Sequence, residues 1–558
     1  MGVRVDSARD DTAVPLMAED VVGKDGREEE KGKTDERGEN EEGDERKARP
    51  APMTKTAAIL FPYYGVLAAL AFYGVHRFRM IVRHYRGAKS DPEPPPVPAG
   101  DAILAAPVLV QLPVYNERFV VERLLHAAAS LRWSGPVRIQ LLDDSTDETA
   151  DVAARVTFEL RRAGHDVTHI RRGTRDGYKA GALSEGLRID AAHPEGPAPY
   201  VAIFDADFVP PEGFLLRTMP HLHDPCVALV QARWEHLNRD ESLLTELQAI
   251  FLDGHFALES AVRFRSGLFF NFNGTAGVFR RAAIESAGGW SGDTLTEDLD
   301  LSYRVLLRGW RFVFLSDVTA PAELPGSMRD FRSQQARWTK GSIEVARKLL
   351  SRILAAPLPR PVRLEAFVHL TNNLSYPLVV LLALLVVPSI VVRHELRLLS
   401  TLFIDAPLFL ASSLSVALFY LVSQRVLGRP WKRKIRFLPM TMSLGIGMAV
   451  ENAVGVIEAL LGSSTPFLRT PKKGRAGVAA ARFYRRAPRL VVGAEIALLA
   501  YFALALFWCV TAKAWAALPF LLVFFSGFFY GVLFTLISWP GSRSAPSAPA
   551  PEALRPTP

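Results

Sequence analysis

The stretch Val201-Ala-Ile-Phe-Asp-Ala-Asp207 runs four mostly apolar residues straight into two carboxylates one residue apart. A short apolar run of this kind predicts a buried strand. At the carboxyl end of a strand in an open α/β sheet, Asp205 and Asp207 face the crevice where such sheets bind ligands. Two hard oxygen donors at that spacing suit a divalent cation, Mg²⁺ or Mn²⁺, that keeps several waters and bridges to phosphate oxygens. Asp143-Asp144 ends a second apolar run, and the Ser145-Thr146-Asp147 turn after it can accept hydrogen bonds from a nucleobase or ribose and cap the next helix. Tyr178-Lys179-Ala180-Gly181 offers a cation and a close-approach glycine suited to phosphate. Asp298, in Thr296-Glu297-Asp298, is placed to act as general base on an attacking hydroxyl. In Gln334-Gln335-Ala336-Arg337-Trp338, Arg337 can bind a diphosphate and Trp338 can stack on the flat apolar face of a sugar ring.

The elements that position these residues follow from periodicity. Val108–Pro113, Arg138–Leu142, 167–170 and 200–204 read as strands, with helices over 117–131 and 148–163 between them. That alternation predicts a largely parallel sheet covered on both faces, spanning 101–340. Around it the composition changes. Residues 1–50 carry 16 acids and 10 bases with few large apolars and predict a disordered charged tail. No apolar run follows Met1 directly, so the tail is not read as a secretory signal. The uncharged run within 55–76 is long enough to span a bilayer, and Arg77, Arg79, Arg83, Arg86 and Lys89 after it predict that the next domain is cytosolic. A Pro-rich linker, 90–100, comes next.

Beyond Trp338, 341–358 has the pattern of an interfacial amphipathic helix. Runs at 366–392, 399–423, 490–511 and 516–538 predict further spans. The segment 437–462 has Glu451-Asn452 in its middle and basic residues on both sides, so it reads as interfacial or re-entrant. Residues 463–489 form a basic loop, cytosolic by the same rule, and 541–558 a Pro/Ala/Ser-rich disordered tail.

The net charge of +8 sits largely beside apolar runs, which points to a lipid bilayer rather than to nucleic acid. Cys226 and Cys509, the only cysteines, lie far apart and exclude a disulfide framework or a four-cysteine zinc site. His221-Leu-His223-Asp224-Pro-Cys226 has metal-like content but no tetrahedral spacing and reads as a surface loop. Trp234 follows the Asp-x-Asp strand too soon to belong to the acceptor motif and reads as sheet packing.

Asp143-Asp144, Asp205-x-Asp207, Thr296-Glu297-Asp298 and Gln334-x-x-Arg337-Trp338, in this order between apolar spans, resemble the processive family-2 glycosyltransferases of the cellulose synthase superfamily. Leu142–Thr149, Gly177–Leu183, Val230–Trp234 and Asn273–Gly277 are similar to the cellulose-synthase-like mannan and glucan synthases. The resemblance covers roughly 105–345 strongly and the membrane part more loosely. It implies a Rossmann-like glycosyltransferase A-type cytosolic domain with an α-helical transmembrane region. The implied reaction is an inverting transfer from a nucleotide sugar, GDP-mannose or UDP-glucose, to a growing glycan chain. In that scheme Asp144 contacts the base, Asp143, Lys179, Asp205, Asp207 and Arg337 bind the donor, Asp205 and Asp207 hold the metal, Asp298 is the base, and Gln334 and Trp338 bind the acceptor. Phe467-Leu-Arg-Thr470-Pro-Lys472 resembles the Phe-x-x-Thr-x-Lys gating loop of cellulose synthases. The implied setting is a bacterial inner membrane or a Golgi-type membrane. Two other readings compete: a non-processive enzyme making a glycolipid, as in ceramide glucosyltransferase-like proteins, and a catalytically silent scaffold or channel.

Overall fold

The computed structural model describes residues 53–87, 93, 96–98, 100–397, 402–463 and 489–537. The gating-loop residues Phe467, Thr470 and Lys472 therefore lie outside the described residues, as do both predicted tails.

Seven strands form one sheet: β1 (Val108–Val114), β2 (Val137–Asp143), β3 (Asp166–Arg171), β4 (Tyr200–Ile203), β5 (Val227–His236), β6 (Gly277–Arg280) and β7 (Arg311–Ala322), in the order β3-β2-β1-β4-β6-β5-β7. The first four are mutually parallel, and β6 runs antiparallel between β4 and β5. Their sequences are apolar on both faces because both faces are covered. One core packs Val108, Val110 and Leu112 against Val121, Leu124, Leu125 and Val156. The other packs Leu109, Val201 and Ile203 against Leu183, Leu187, Leu301 and Val305. Since β1, β2 and β4 are parallel, their carboxyl ends open on one edge, and Asn116, Asp144 and Asp205 all follow those ends.

Among the described residues five helical segments are long and apolar enough to cross a membrane: Thr56–Arg86, Arg360–Glu395, Phe403–Val426, Leu490–Thr511 and Trp515–Leu533. The pair Trp431–Gly447 and Ala449–Leu461, bent by 43°, adds a sixth if read as one broken span. The basic residues 77–86, expected as a flank, lie on the first helix itself, which continues to Arg86. The second segment is two helices, Arg360–Thr371 and Ser375–Glu395, joined by a tight turn at Asn372–Leu374.

The segment 341–358, expected as an interfacial helix, belongs to a longer one. One unbroken helix, Met328–Ala355, begins with the Gln334–Trp338 motif and runs through that segment. Its apolar residues are buried on protein: Val345, Leu349 and Ile353 pack with Leu299, Tyr303, Ala366 and Leu370, and Ile343 packs with Val456 and Ala459. The alternating apolar and basic pattern marked a helix between two partners, and a sequence cannot tell that from a helix between protein and lipid. Ion pairs fasten it further. Arg332 binds Glu451 at 2.7 Å and Glu495 at 2.5 Å, and Lys340 binds Glu458 at 2.9 Å.

Candidate active site

β4 delivers Asp205 and Asp207 to the sheet edge, and the chain behind them is held by packing. Phe204 meets Phe214 edge-on at 5.0 Å, and Phe208 meets Trp234 at 5.3 Å. The Asp205 amide donates to Thr275 Oγ1 at 2.9 Å, so the Asn273-Gly274-Thr275 turn is tied to the Asp-x-Asp strand. Lys179 closes the link: Nζ donates to Asp205 Oδ1 at 2.6 Å and to the Gly274 carbonyl at 2.8 Å, and lies 3.8 Å from Glu297. Burial works against this ammonium, but the surrounding acids more than compensate and raise its pKa.

Asp298 starts the helix Glu297–Leu306, with Oδ1 accepting from the Leu299 amide at 2.8 Å. Burial and the neighbouring Glu297 charge, partly offset by Lys179, push its carboxyl up to about 7. A general base poised there is half ionised near neutral pH. Two glycines permit the assembly. Gly274 has φ +83, and a Cβ there would stand 2.9 Å from Asp298 Oδ2. At Gly341 a Cβ would fall 2.6 Å from Thr296 Cγ2 and 3.0 Å from the Thr296 amide, so the Met328–Ala355 helix crosses in direct contact with the turn that begins the Asp298 helix. On the same helix Glu344 accepts from the Leu295 amide at 2.8 Å and fixes the preceding loop.

Arg337 lies among Glu297, Asp205 and Asp298. Burial draws its guanidinium pKa down against those three acids, yet arginine stays charged throughout the physiological range. Trp338 and Gln334 line a cavity of about 1540 Å³ together with Thr296, Asp298 and Asn273. Lys179, Asp205, Glu297, Asp298 and Arg337 are thus gathered at one place, with Trp338 and Gln334 lining the cavity that Asp298 also lines. This arrangement can accept a charged phosphate group on one side and a flat, hydroxyl-bearing ring on the other.

One expectation is corrected and two are extended. Asp143 does not open to the crevice: it is 1 % exposed, accepts from the Ser145 amide at 2.8 Å and meets His169 Nε2 at 2.9 Å. Burial raises its pKa, but these bonds outweigh it and hold the carboxyl below the usual range. Asp143 therefore shapes the turn that presents Asp144. Trp234 packs against both cores of the sheet as expected, and its ring also lies 6.5 Å from Trp338 and lines the same cavity. The segment 221–226 is not a surface loop at its start: His221 is 5 % exposed in a short helical turn, Met219–His223.

Sequence reasoning missed Arg172, whose guanidinium takes Asp144 in a fork, Nε to Oδ1 at 2.9 Å and Nη2 to Oδ2, while also donating to the carbonyls of Asp176 and Tyr178. It also missed Arg175, stacked 3.4 Å over the Tyr115 ring beside this pair. A long cation in a turn carries no local signal of its carboxylate partner. Gln231 was legible only as part of Gln231-Ala-Arg-Trp234. Its Nε2 donates to the Thr275 and Ala276 carbonyls and its Oε1 accepts from the Asn273 amide, which explains the two motifs as one unit.

Among the described residues no three His, Cys, Asp or Glu side chains are grouped to cage a metal ion. Asp205 and Asp207 offer two carboxylates only. That donor set fits a cation completed by phosphate oxygens and water rather than one held by protein alone.

Residues 110–287 match the family described as glycosyl transferase family 2, and residues 200–426 match the one described as glycosyl transferase family group 2. Over those residues the chain is similar to family 2 glycosyltransferases. It is 49% identical over 253 residues to "Glucomannan 4-beta-mannosyltransferase 2" of Arabidopsis thaliana, covering 44% of this chain and 46% of that protein. It is 44% identical over 300 residues to "Probable glucomannan 4-beta-mannosyltransferase 9" of Oryza sativa subsp. japonica, covering 52% and 56%. The chain spans about half the length of the curated relatives it matches. Among solved structures, the mannosyltransferase PcManGT from Pyrobaculum calidifontis in complex with GDP-Man and Mn²⁺ is similar at 18% identity and a TM-score of 0.46, over 72% of this chain and all of that one.

Proposed function

We propose that this protein is an inverting, membrane-embedded glycosyltransferase that elongates a β-linked polysaccharide of mannan, glucomannan or glucan type from a nucleotide sugar and passes the product through its own helices. The observation that carries this reading is the continuous cavity. Its lining includes Asp298 and Trp338 together with Tyr376, Phe419, Arg393, Asp405 and Trp515 of the apolar helices. An enzyme that attaches one sugar to a lipid needs an acceptor pocket; a cavity extending from a catalytic carboxylate along a helix bundle fits a polymer. Relatives at 41–49% identity, named glucomannan 4-beta-mannosyltransferases, support the polymer over the glycolipid.

In this reading the Asp144–Arg172 fork and the Tyr115–Arg175 stack form the nucleotide end, where a base can hydrogen-bond and stack. Lys179 and Arg337 bind the diphosphate. Asp205 and Asp207 would hold a divalent cation, which when bound supplies charge neutralisation for the leaving diphosphate. Asp298 takes the proton from the acceptor hydroxyl as it attacks the anomeric carbon, and in-line attack inverts that centre. Trp338, with Trp234 behind it, holds the terminal sugar by stacking, and Gln334 adds a hydrogen bond. The sheet then lies in the cytosol, with donor, growing glycan and bilayer as its partners.

The experiment is to supply purified protein in nanodiscs with Mg²⁺ or Mn²⁺ and a panel of nucleotide sugars, then size the product and digest it with linkage-specific glycosidases. Long β-linked polymer from one donor is the expected result. A single-sugar glycolipid as the only product returns the reading to a glycolipid synthase.

A further inference from the structure

The first apolar helix, Met53–Arg86, carries a histidine that no step of the transfer uses. His76 is buried and donates through Nε2 to both carboxylate oxygens of Glu365, at 2.9 and 3.0 Å. Glu365 lies on the helix Arg360–Thr371 and also accepts from Arg263 Nε at 2.9 Å, with Arg83 3.9 Å away. Arg263 stands 3.7 Å from Glu259, and Glu259 meets His255 Nδ1 at 3.1 Å. The other nitrogen of that ring, Nε2, meets Asn273 Oδ1 at 2.8 Å. Titratable side chains thus run end to end from the first helix to the Asn273-Gly274-Thr275 turn. That turn holds the Asp205 amide and the Lys179 ammonium.

The backbone under this series is unusual. His255–Ser260 is one turn of π-helix between the helices Leu243–Gly254 and Ala261–Arg265, a rare widening that recurs at functional sites. Apolar helices clasp it: Leu258 and Val262 pack with Met80 and Phe419, and a Cβ on Gly254 would stand 2.8 Å from the Phe419 and Tyr420 rings. A second line of contact reaches the helix of the base. His369, one turn on from Glu365, meets the hydroxyl of Tyr303 at 2.8 Å, and Tyr303 lies on the Glu297–Leu306 helix with Asp298. Ionisable groups in membrane-crossing segments are costly and mark function, yet His76, Arg263 and Glu365 do not line the cavity that Asp298 lines. They act on other side chains, not on the sugar.

We propose that His76 and His255 are positioning residues at the two ends of this series, through which the first apolar helix sets the seat of the Asn273–Thr275 turn and, with it, of Asp205 and Asp298. The inference rests on the transferase reading above and adds to it. Each link fixes a separation and a direction, so the series passes the place of the helix on to the turn. Transfer is sensitive to that place, since misplacing reacting groups by about 1 Å costs roughly 10²-fold in rate. Donor affinity rests on charge attraction, which changes only gradually with distance.

The test uses full-length protein in nanodiscs with the nucleotide sugar that the panel above selects. Single-turnover transfer is followed as released nucleotide, and donor affinity by titration. His76→Phe removes the donor to Glu365; the rate is expected to fall about tenfold, within the range that coupled networks show, while amplitude and donor affinity hold. His76→Gln, which can still donate to Glu365, is expected to restore most of the rate. In a double-mutant cycle, His255→Phe added to His76→Phe is expected to cost little beyond the larger single loss. A normal rate in His76→Phe, a loss of amplitude alone, or losses that multiply in the double variant each overturn the inference and leave the transferase reading standing. Should His76→Phe fail to fold, His76→Asn, too short to reach Glu365, is read in its place. A wild type that consumes no donor overturns both the inference and the reading beneath it.

Discussion

Asp298 carries the sharpest consequences at the scale of single residues. In the proposed role of general base the ionised form is the working one, and with the carboxyl held at about 7 that form grows as pH rises. The expected profile of kcat/KM, which reports the free enzyme, therefore climbs through about pH 7 and levels above it; a profile already flat from about pH 5 would assign the base elsewhere. Asp298→Asn keeps the shape and removes the base, so donor affinity is expected to persist while turnover drops roughly 10²–10⁴-fold. Asp207→Ala is expected to weaken donor and metal binding together, measured by titrating nucleotide with and without Mn²⁺, and excess EDTA is expected to silence the wild type. Activity undiminished in that variant would make Asp205-x-Asp207 structural. Most of these residues were legible because each sits in a short motif at a strand end. Arg172, Arg175 and the inward turn of Asp143 were not, since their roles depend on partners 26 to 60 positions away across parallel strands.

Elements explain why the acids meet where they do. The strand-helix alternation revealed β1 to β4 and the crevice at their carboxyl ends, because both-face burial leaves a plain apolar signature. It did not reveal that β6 would insert antiparallel beside β4, which brings the Asn273–Thr275 turn against Asp205; four-residue strands have too little pattern to declare a direction. The helix Met328–Ala355 was seen as two things, a motif and an amphipathic segment, because its Gln334–Trp338 stretch carries the motif while its later turns alternate apolar and basic residues between two protein partners. Its crossing at Gly341 offers a direct test. Gly341→Ala places a methyl group 2.6 Å from Thr296 and forces the start of the Asp298 helix to move. Overpacking of this kind costs about 1–3 kcal/mol, and a displacement near 1 Å is expected to lower kcat about 10²-fold. Thermal unfolding and single-turnover kinetics on one preparation separate the two effects; a stable variant with normal kcat would show that the crossing does not position the base.

For the whole molecule, product length is expected to depend on residues at the junction of sheet and helices. Trp338→Ala should leave donor hydrolysis measurable while long product disappears from the gel, whereas Lys472→Ala, in the basic loop, should slow every transfer; long polymer at normal yield from Trp338→Ala would remove the stacking role. The continuous Met328–Ala355 helix has one more implication. Its first turns hold Arg337 and Trp338, and along its length it is bonded to Glu451, Glu458 and Glu495 of the apolar helices. Sheet and bundle must consequently tilt as one body when a thicker or thinner bilayer changes the angle of the spans, an adjustment that costs only fractions of a kcal/mol per Å of mismatch. The reaction geometry travels with the tilt instead of being distorted by it. Turnover measured in nanodiscs of short-chain and long-chain lipids is therefore expected to stay level, so that one chain could work in membranes of different thickness.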